Sequence, residues 1–470
     1  MPRLALAAGF IAIIAIGVFG IPALLRQSSP VTSGPTNSIA PTSANAPAAP
    51  GVVVAPSPSA TPLLGTLPCQ SAAGFVSDLA ASTGPVPSAS PSGGASTLLV
   101  KLSTVDGLFE LAEFDPAQAD ATPKRLVGTV APGSELVPSP DGRAIAIEVD
   151  RGPVFPCAEP VVVSRAGDWY TVPFDVNRVG VVQHLAWSRD GGILYGIHQS
   201  ANTTDPTSTL PVDPGSVWAW DARADTIERL GSPCTGCALG DPTIGPDGTL
   251  AVAFLGEACS DTAWDHTRLE CVGSGVAVLG KGGWRTVTTG AQMLAAAPNS
   301  LALSLLGWSG SSTLVLGSPT TGVTRLGLDG TLTRVGFGTV CCGNGLNDWL
   351  SLSPDGTTTA VGLRDGDLVH SEVLLTPVDG SHARSIGKIV STVRNQDGSS
   401  TGGRLGQAAW SPDSQTIAVG LWRLPNGDSP STSVLVVGRD GSGLRQFALP
   451  IAGDPYDTGL ARLAWLPPVR

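Results

Sequence analysis

The sequence predicts an all-β fold built from repeated four-stranded units, and three observations carry that prediction. A short phrase recurs along the chain: Ser139-Pro140-Asp141-Gly142, Ser188-Arg189-Asp190-Gly191, Gly245-Pro246-Asp247-Gly248, Ser353-Pro354-Asp355-Gly356 and Ser411-Pro412-Asp413-Ser414. Each copy sits between two apolar runs, such as Ala144-Ile145-Ala146-Ile147 after the first and Thr416-Ile417-Ala418-Val419 after the last. That is the pattern of strand, tight turn, strand. The 59 glycines and 40 prolines among 470 residues suit many turns and few long helices. Repeats at this period stack into propellers or solenoids.

The elements follow in chain order. Residues 4–25 are almost wholly apolar and, at ~1.5 Å per residue, long enough to cross a bilayer as a helix. With no clear small-x-small site closing it, residues 1–26 read as an uncleaved signal anchor, the alternative being a cleaved signal and a secreted chain. Residues 27–96 are rich in Pro, Ser, Thr and Ala, as in Ala46-Pro47-Ala48-Ala49-Pro50. Such a composition cannot offset its ordering entropy, so a disordered tether is expected, with a short helix over 72–81 and a loose stretch over 82–96. The propeller region is 97–470.

In each unit, strand a precedes the Asp-Gly turn, b follows it, and c and d complete a meander. Between Asp247 and Asp355 the spacing doubles, which predicts a degenerate copy. Leu306-Gly307-Trp308-Ser309-Gly310-Ser311 supplies it, with Ser311 in place of the aspartate. The turn aspartates are structural in this reading, bonding their own backbone. The region opens with three strands that lack an a partner, and closes with Leu463-Ala464-Trp465-Leu466, an a strand without followers. Joined, they make one blade and close a ring of seven, or of six if the degenerate copy is not a blade.

The phrase Ala409-Trp410-Ser411-Pro412-Asp413-Ser414, with Ile417-Ala418-Val419 behind it and its relatives upstream, resembles the WD40-like repeats of TolB-type β-propellers. The resemblance covers nearly all of 97–467 and is specific for fold but not for function. It implies either free binding modules and envelope assemblies or domains that gate prolyl oligopeptidase-like hydrolases. The hydrolase domain of the last group is absent from this sequence.

A meander puts a-b and c-d turns on one face of the ring and b-c and d-a connections on the other. Here the first set is short and the second long, at 199–216, 255–272, 337–348, 388–404 and 450–460. Long loops generally carry specificity. All eight cysteines follow the anchor, which points to disulfides in an exported chain. Local pairing would join Cys234 with Cys237, Cys259 with Cys271, and Cys341 with Cys342, leaving Cys69 for Cys157. Zinc at Cys234-x-x-Cys237 is the weaker reading, since no second pair lies nearby. On the long-loop face, Glu257, Asp261, Trp264 and Asp265 combine acids with an aromatic, Arg394 and Arg404 mark a basic sector, and Tyr456 is a further contact. Trp349 and Trp422, at strand ends, read as packing residues.

A net charge of -11 with 27 basic residues excludes a nucleic-acid partner. No Gly-x-Ser-x-Gly elbow is present, and the five histidines show no metal spacing. The function expected is therefore a non-catalytic, membrane-tethered extracytoplasmic module without a cofactor. It would recognise an envelope protein, peptide or glycan through its long-loop face. The alternative is a hydrolase or lyase with its site at the central mouth.

Overall fold

A computed structural model describes residue 86 and residues 95–469, apart from 104–108, 119–123, 131–135, 151–157, 173–179, 202–210, 256–273, 297–303, 319–321, 336–346, 365–369, 391–392, 395–399, 402, 424–430 and 450–462. The chain divides into two units, Met1–Pro62 and Leu63–Arg470, and every described residue belongs to the second. The expected anchor and the 72–81 helix lie outside the described residues. Among the described residues no helix is long and apolar enough to cross a membrane.

Seven four-stranded antiparallel sheets follow one another as blades. Blade 1 takes strand a from Leu463–Leu466 and strands b to d from Thr97–Ser103, Phe109–Phe114 and Lys124–Val130. The closure is in register, from Thr97 opposite Leu466 to Val100 opposite Leu463. Strands a of blades 2 to 7 are Leu136–Pro138, Gly180–Trp187, Ala238–Ile244, Ser304–Ser309, Asn347–Leu352 and Gly403–Trp410. Each a strand packs against the next around an unbroken circuit of seven, so these strands form the inner wall of the ring.

The core is divided among the seams between blades. In strand b of blade 2 (Ala144–Asp150), Ile145 and Ile147 pack with blade 1 while Ala144 and Ala146 pack with blade 3. Both faces of a blade are thus buried, which is why its strands are continuously apolar rather than alternating with polar residues. Among the described residues the seam of blades 5 and 6 is the thinnest, burying four apolar residues, Val315, Val323, Val335 and Val378, where each other seam buries eight or more.

Indole groups rivet the inner strands together. Trp187, Trp308, Trp410 and Trp465 each donate Nε1–H to a carbonyl on the preceding blade's a strand. The acceptors are Val137, Thr243, Ser351 and Ala409, at 2.8, 3.4, 3.0 and 3.0 Å. At the closure Arg165 of blade 2 donates to the Pro467 carbonyl at 2.9 Å and meets Glu113 of blade 1 at 2.8 Å.

The repeated phrase works as expected of it. In four of the turns the serine hydroxyl donates to the aspartate and accepts the backbone N–H that opens strand b. For Ser188 these distances are 2.7 Å to Asp190 and 2.8 Å from Ile193. The aspartate also accepts the N–H two residues on, as Gly192 donates to Asp190 at 3.2 Å. The fourth residue is left-handed, and at Gly142 and Gly356 a side chain would collide with backbone of the neighbouring blade. Ser414 breaks the glycine rule, with φ 61, but its hydroxyl accepts the Asp355 N–H of blade 6 at 3.0 Å. In the degenerate copy the left-handed residue is instead the second, Gly310.

Several expectations need correction. The 199–216 connection is shorter than expected, because strand b of blade 3 runs to Ala201 and strand c begins at Pro211. The 388–404 connection holds a hairpin, Val393–Arg394 with Ser400–Thr401, and strand a of blade 7 begins at Gly403. Arg394 and Arg404 therefore stand on strands, opposite Ser400 and Trp422, rather than on a free loop. A helix, α1 (Gly290–Ala296), occupies the connection from blade 4 to blade 5. Within the stretch expected to be loose, Val86 donates its backbone N–H to the Ala222 carbonyl at 2.9 Å and packs on the seam of blades 2 and 3.

Two measurements test this account. Trp410→Phe keeps an aromatic ring but removes one interblade hydrogen bond and part of the indole's buried volume, so urea unfolding should show a loss of about 2 kcal/mol, against about 3–5 kcal/mol for Trp410→Ala. The Ser188 hydroxyl and then the Gly192 N–H hold the Asp190 carboxyl below its ordinary 3.8. For Asp247 it is chiefly the Thr249 N–H that does so. A depressed carboxyl stabilises the fold above its unfolded pKa and loses that contribution as pH falls through the folded value. Melting temperature should therefore fall below about pH 4, and Asp190→Asn should reduce that slope.

Candidate functional site at the inner wall

In blades 3 to 7 the pairing of strands a and b slips partway along the inner strand. Three of the slips set two residues against one: His184 and Leu185 against Gly196, Asp241 and Pro242 against Val252, and Gly406 and Gln407 against Gly420. Bulges of this kind bend a strand and re-aim a side chain, and they gather at barrel rims and beside active sites.

Two of them carry non-glycine residues in the left-handed region, His184 at φ 55 and Asp241 at φ 49. They lie on the inner strands of adjacent blades, which pack against each other. Both side chains are half-buried. A left-handed non-glycine residue costs free energy and persists only where its surroundings over-determine it. For Asp241 the surroundings are visible: Oδ2 accepts the Leu305 N–H of blade 5 at 3.3 Å, so the carboxylate bridges two inner strands. The wall here combines a half-buried imidazole, a carboxylate and the edge of a β-strand, polar groups of the kind that line ligand sites.

Sequence reasoning passed over both residues. His184 read as an ordinary strand histidine, and a register slip leaves no residue signature of its own. Of the residues expected to form the site, Glu257, Asp261, Trp264, Asp265 and Tyr456 lie outside the described residues, as do Cys69, Cys157, Cys259, Cys271, Cys341 and Cys342. Cys234 and Cys237 form the expected local pair, with Cα atoms 5.7 Å apart. Trp349 and Trp422 lie within strands, in blades 6 and 7.

The sequence matches no family model and no curated protein. Among solved structures the chain is similar to TolB from Acinetobacter baumannii, with TM-score 0.41 and 12% identity over 79% of this chain and 67% of that one. It is similar to an oligogalacturonate lyase from Vibrio parahaemolyticus, with TM-score 0.48 and 8% identity over 76% and 86%. A puromycin-hydrolyzing peptidase of Mycobacterium tuberculosis matches with TM-score 0.50 and 14% identity over 78% of this chain, which spans about half, 53%, of that one. At such identities the likeness is one of fold. The chain is a seven-bladed β-propeller.

The expectation of a non-catalytic module does not stand. It rested on missing motifs and a missing hydrolase domain, yet a peptidase carries the same ring. The fold alone therefore does not place this chain among non-catalytic proteins.

Asp241 yields a prediction. Asp241→Ala leaves the Leu305 N–H without its acceptor and retains a side chain at φ 49, so denaturant unfolding should show a loss of about 1–2 kcal/mol. Asp241→Asn, which keeps an acceptor and tolerates the left-handed region, should recover most of it.

Proposed function

We propose that the chain works outside the cytoplasm, tethered to the membrane through residues 4–25, and holds a polar segment of an envelope protein, peptide or glycan against the inner wall of its propeller. His184 and Asp241 are the contacts. One observation carries the reading: two non-glycine residues are held left-handed in bulges on adjacent inner strands. The apolar run ahead of a tether-like composition supports the location, and the acidic balance favours partners other than nucleic acid.

The test is site-specific photocrosslinking in intact cells. A crosslinker at position 184 should capture a discrete envelope species, while one at Lys281, on an exposed turn of the opposite face, should not. Equal capture from both positions, or none from 184, would discard the reading. In the same cells, removal of residues 1–26 from a chain exported by a cleavable signal should move the propeller from the membrane fraction to the soluble one.

A further inference from the structure

The seam between blades 5 and 6 holds buried polar atoms that have no partner among the described residues. Strand c of blade 5 (Gly322–Gly327) sends Val323 into that seam, and Arg325, two residues on, faces the same way. Arg325 stands opposite Val315, another seam residue, on one side and Thr333 on the other. Its Nε is buried and has no hydrogen-bond partner among the described residues.

Blade 6 presents a similar surface. Leu352, Thr359 and Thr376 form one cross-strand row, and Leu352 packs on the blade 5 valines. Thr359 and Thr376 are wholly buried, and neither hydroxyl has a partner among the described residues. Three such polar atoms along one seam are unusual, because buried polar groups are nearly always paired.

A pocket of about 410 Å³ opens on blade 5 at Arg325. Arg325 lines it with Thr313, Thr331, Thr333 and Asp329. One oxygen of Asp329 already accepts the Thr331 N–H at 2.9 Å. Across the seam the Asp379 carboxyl is held below the ordinary range chiefly by the Ser381 N–H, with the charge of Arg325 adding to it. The pocket thus offers one planar cation, several hydroxyls and two nearby carboxylates.

From this geometry we infer that the pocket binds a small monocarboxylate carrying hydroxyl groups. The guanidinium takes the carboxylate, for which its fork of donors is suited. The threonine hydroxyls and Asp329 take the ligand's hydroxyls. Asp329 and Asp379 disfavour a second negative charge, which excludes polyanions. The site is separate from the inner wall and does not depend on the function proposed for it.

Gluconate is the probe, with sorbitol as its uncharged counterpart, titrated into the full chain by calorimetry at constant ionic strength. Gluconate should bind and sorbitol should not. Arg325→Gln should weaken gluconate binding about tenfold or more, whereas Arg334→Gln, an exposed residue on the adjoining strand, should leave it unchanged. Thermal melts of both variants identify any loss that comes from unfolding, and Arg325→Lys, which keeps the charge without the fork, should bind with intermediate strength. Equal binding of gluconate and sorbitol, no binding of either, or undiminished binding by folded Arg325→Gln overturns the inference.

Discussion

A sheet that is apolar on both faces has nowhere to bury them except between two neighbours, and this constraint organises the whole ring. Blade 2 shows it within one strand, where isoleucines turn one way and alanines the other. A row of such blades would leave two greasy faces at its ends, so the row must become a circle. The circle needs a blade made from both ends of the chain, which the pairing of Leu463–Leu466 with Thr97–Ser103 supplies. The tryptophan rivets and the Arg165 clamp then hold neighbouring blades at fixed separation. With the inner strands so fixed, a bulge can hold a residue in the left-handed region, as at His184 and Asp241.

Much of the architecture was legible because its causes are local. A serine, an aspartate and a left-handed residue in four consecutive positions make a turn wherever they occur, and the chain repeats them. The degenerate copy was legible through its spacing, although its glycine moved to a different position in the turn. Helix α1 was overlooked, yet its signal was present: Thr289 and Gln292 form a reciprocal cap, with the Thr289 N–H donated to Gln292 Oε1 at 2.9 Å. The strands that run into the expected loops of blades 3 and 7 were missed because polar residues in extended pairs look like loop from composition alone.

The inner wall was opaque for a different reason. A bulge is a relation between two strands, and neither strand announces it. His184 and Asp241 became conspicuous only through backbone angles that pairing imposes. The same holds for the indole donors, whose acceptors lie fifty residues or more away. Arg325 is a third case, since its Nε finds no partner among the described residues of the blade it faces. Fold is written in short phrases here, whereas chemistry depends on which blades come to face each other.

The closing strand carries a consequence for how the protein is made. Strands b to d of blade 1 leave the ribosome before the other six blades, and the strand that completes their sheet follows all of them. During synthesis that sheet must wait with an open edge and an uncovered face, the features that invite pairing with other chains. A contact between distant parts of the chain also forms slowly once it becomes available. Quality control of this protein therefore bears on Leu463–Leu466, because a chain that stops short of that strand has six complete blades and a seventh without its inner strand.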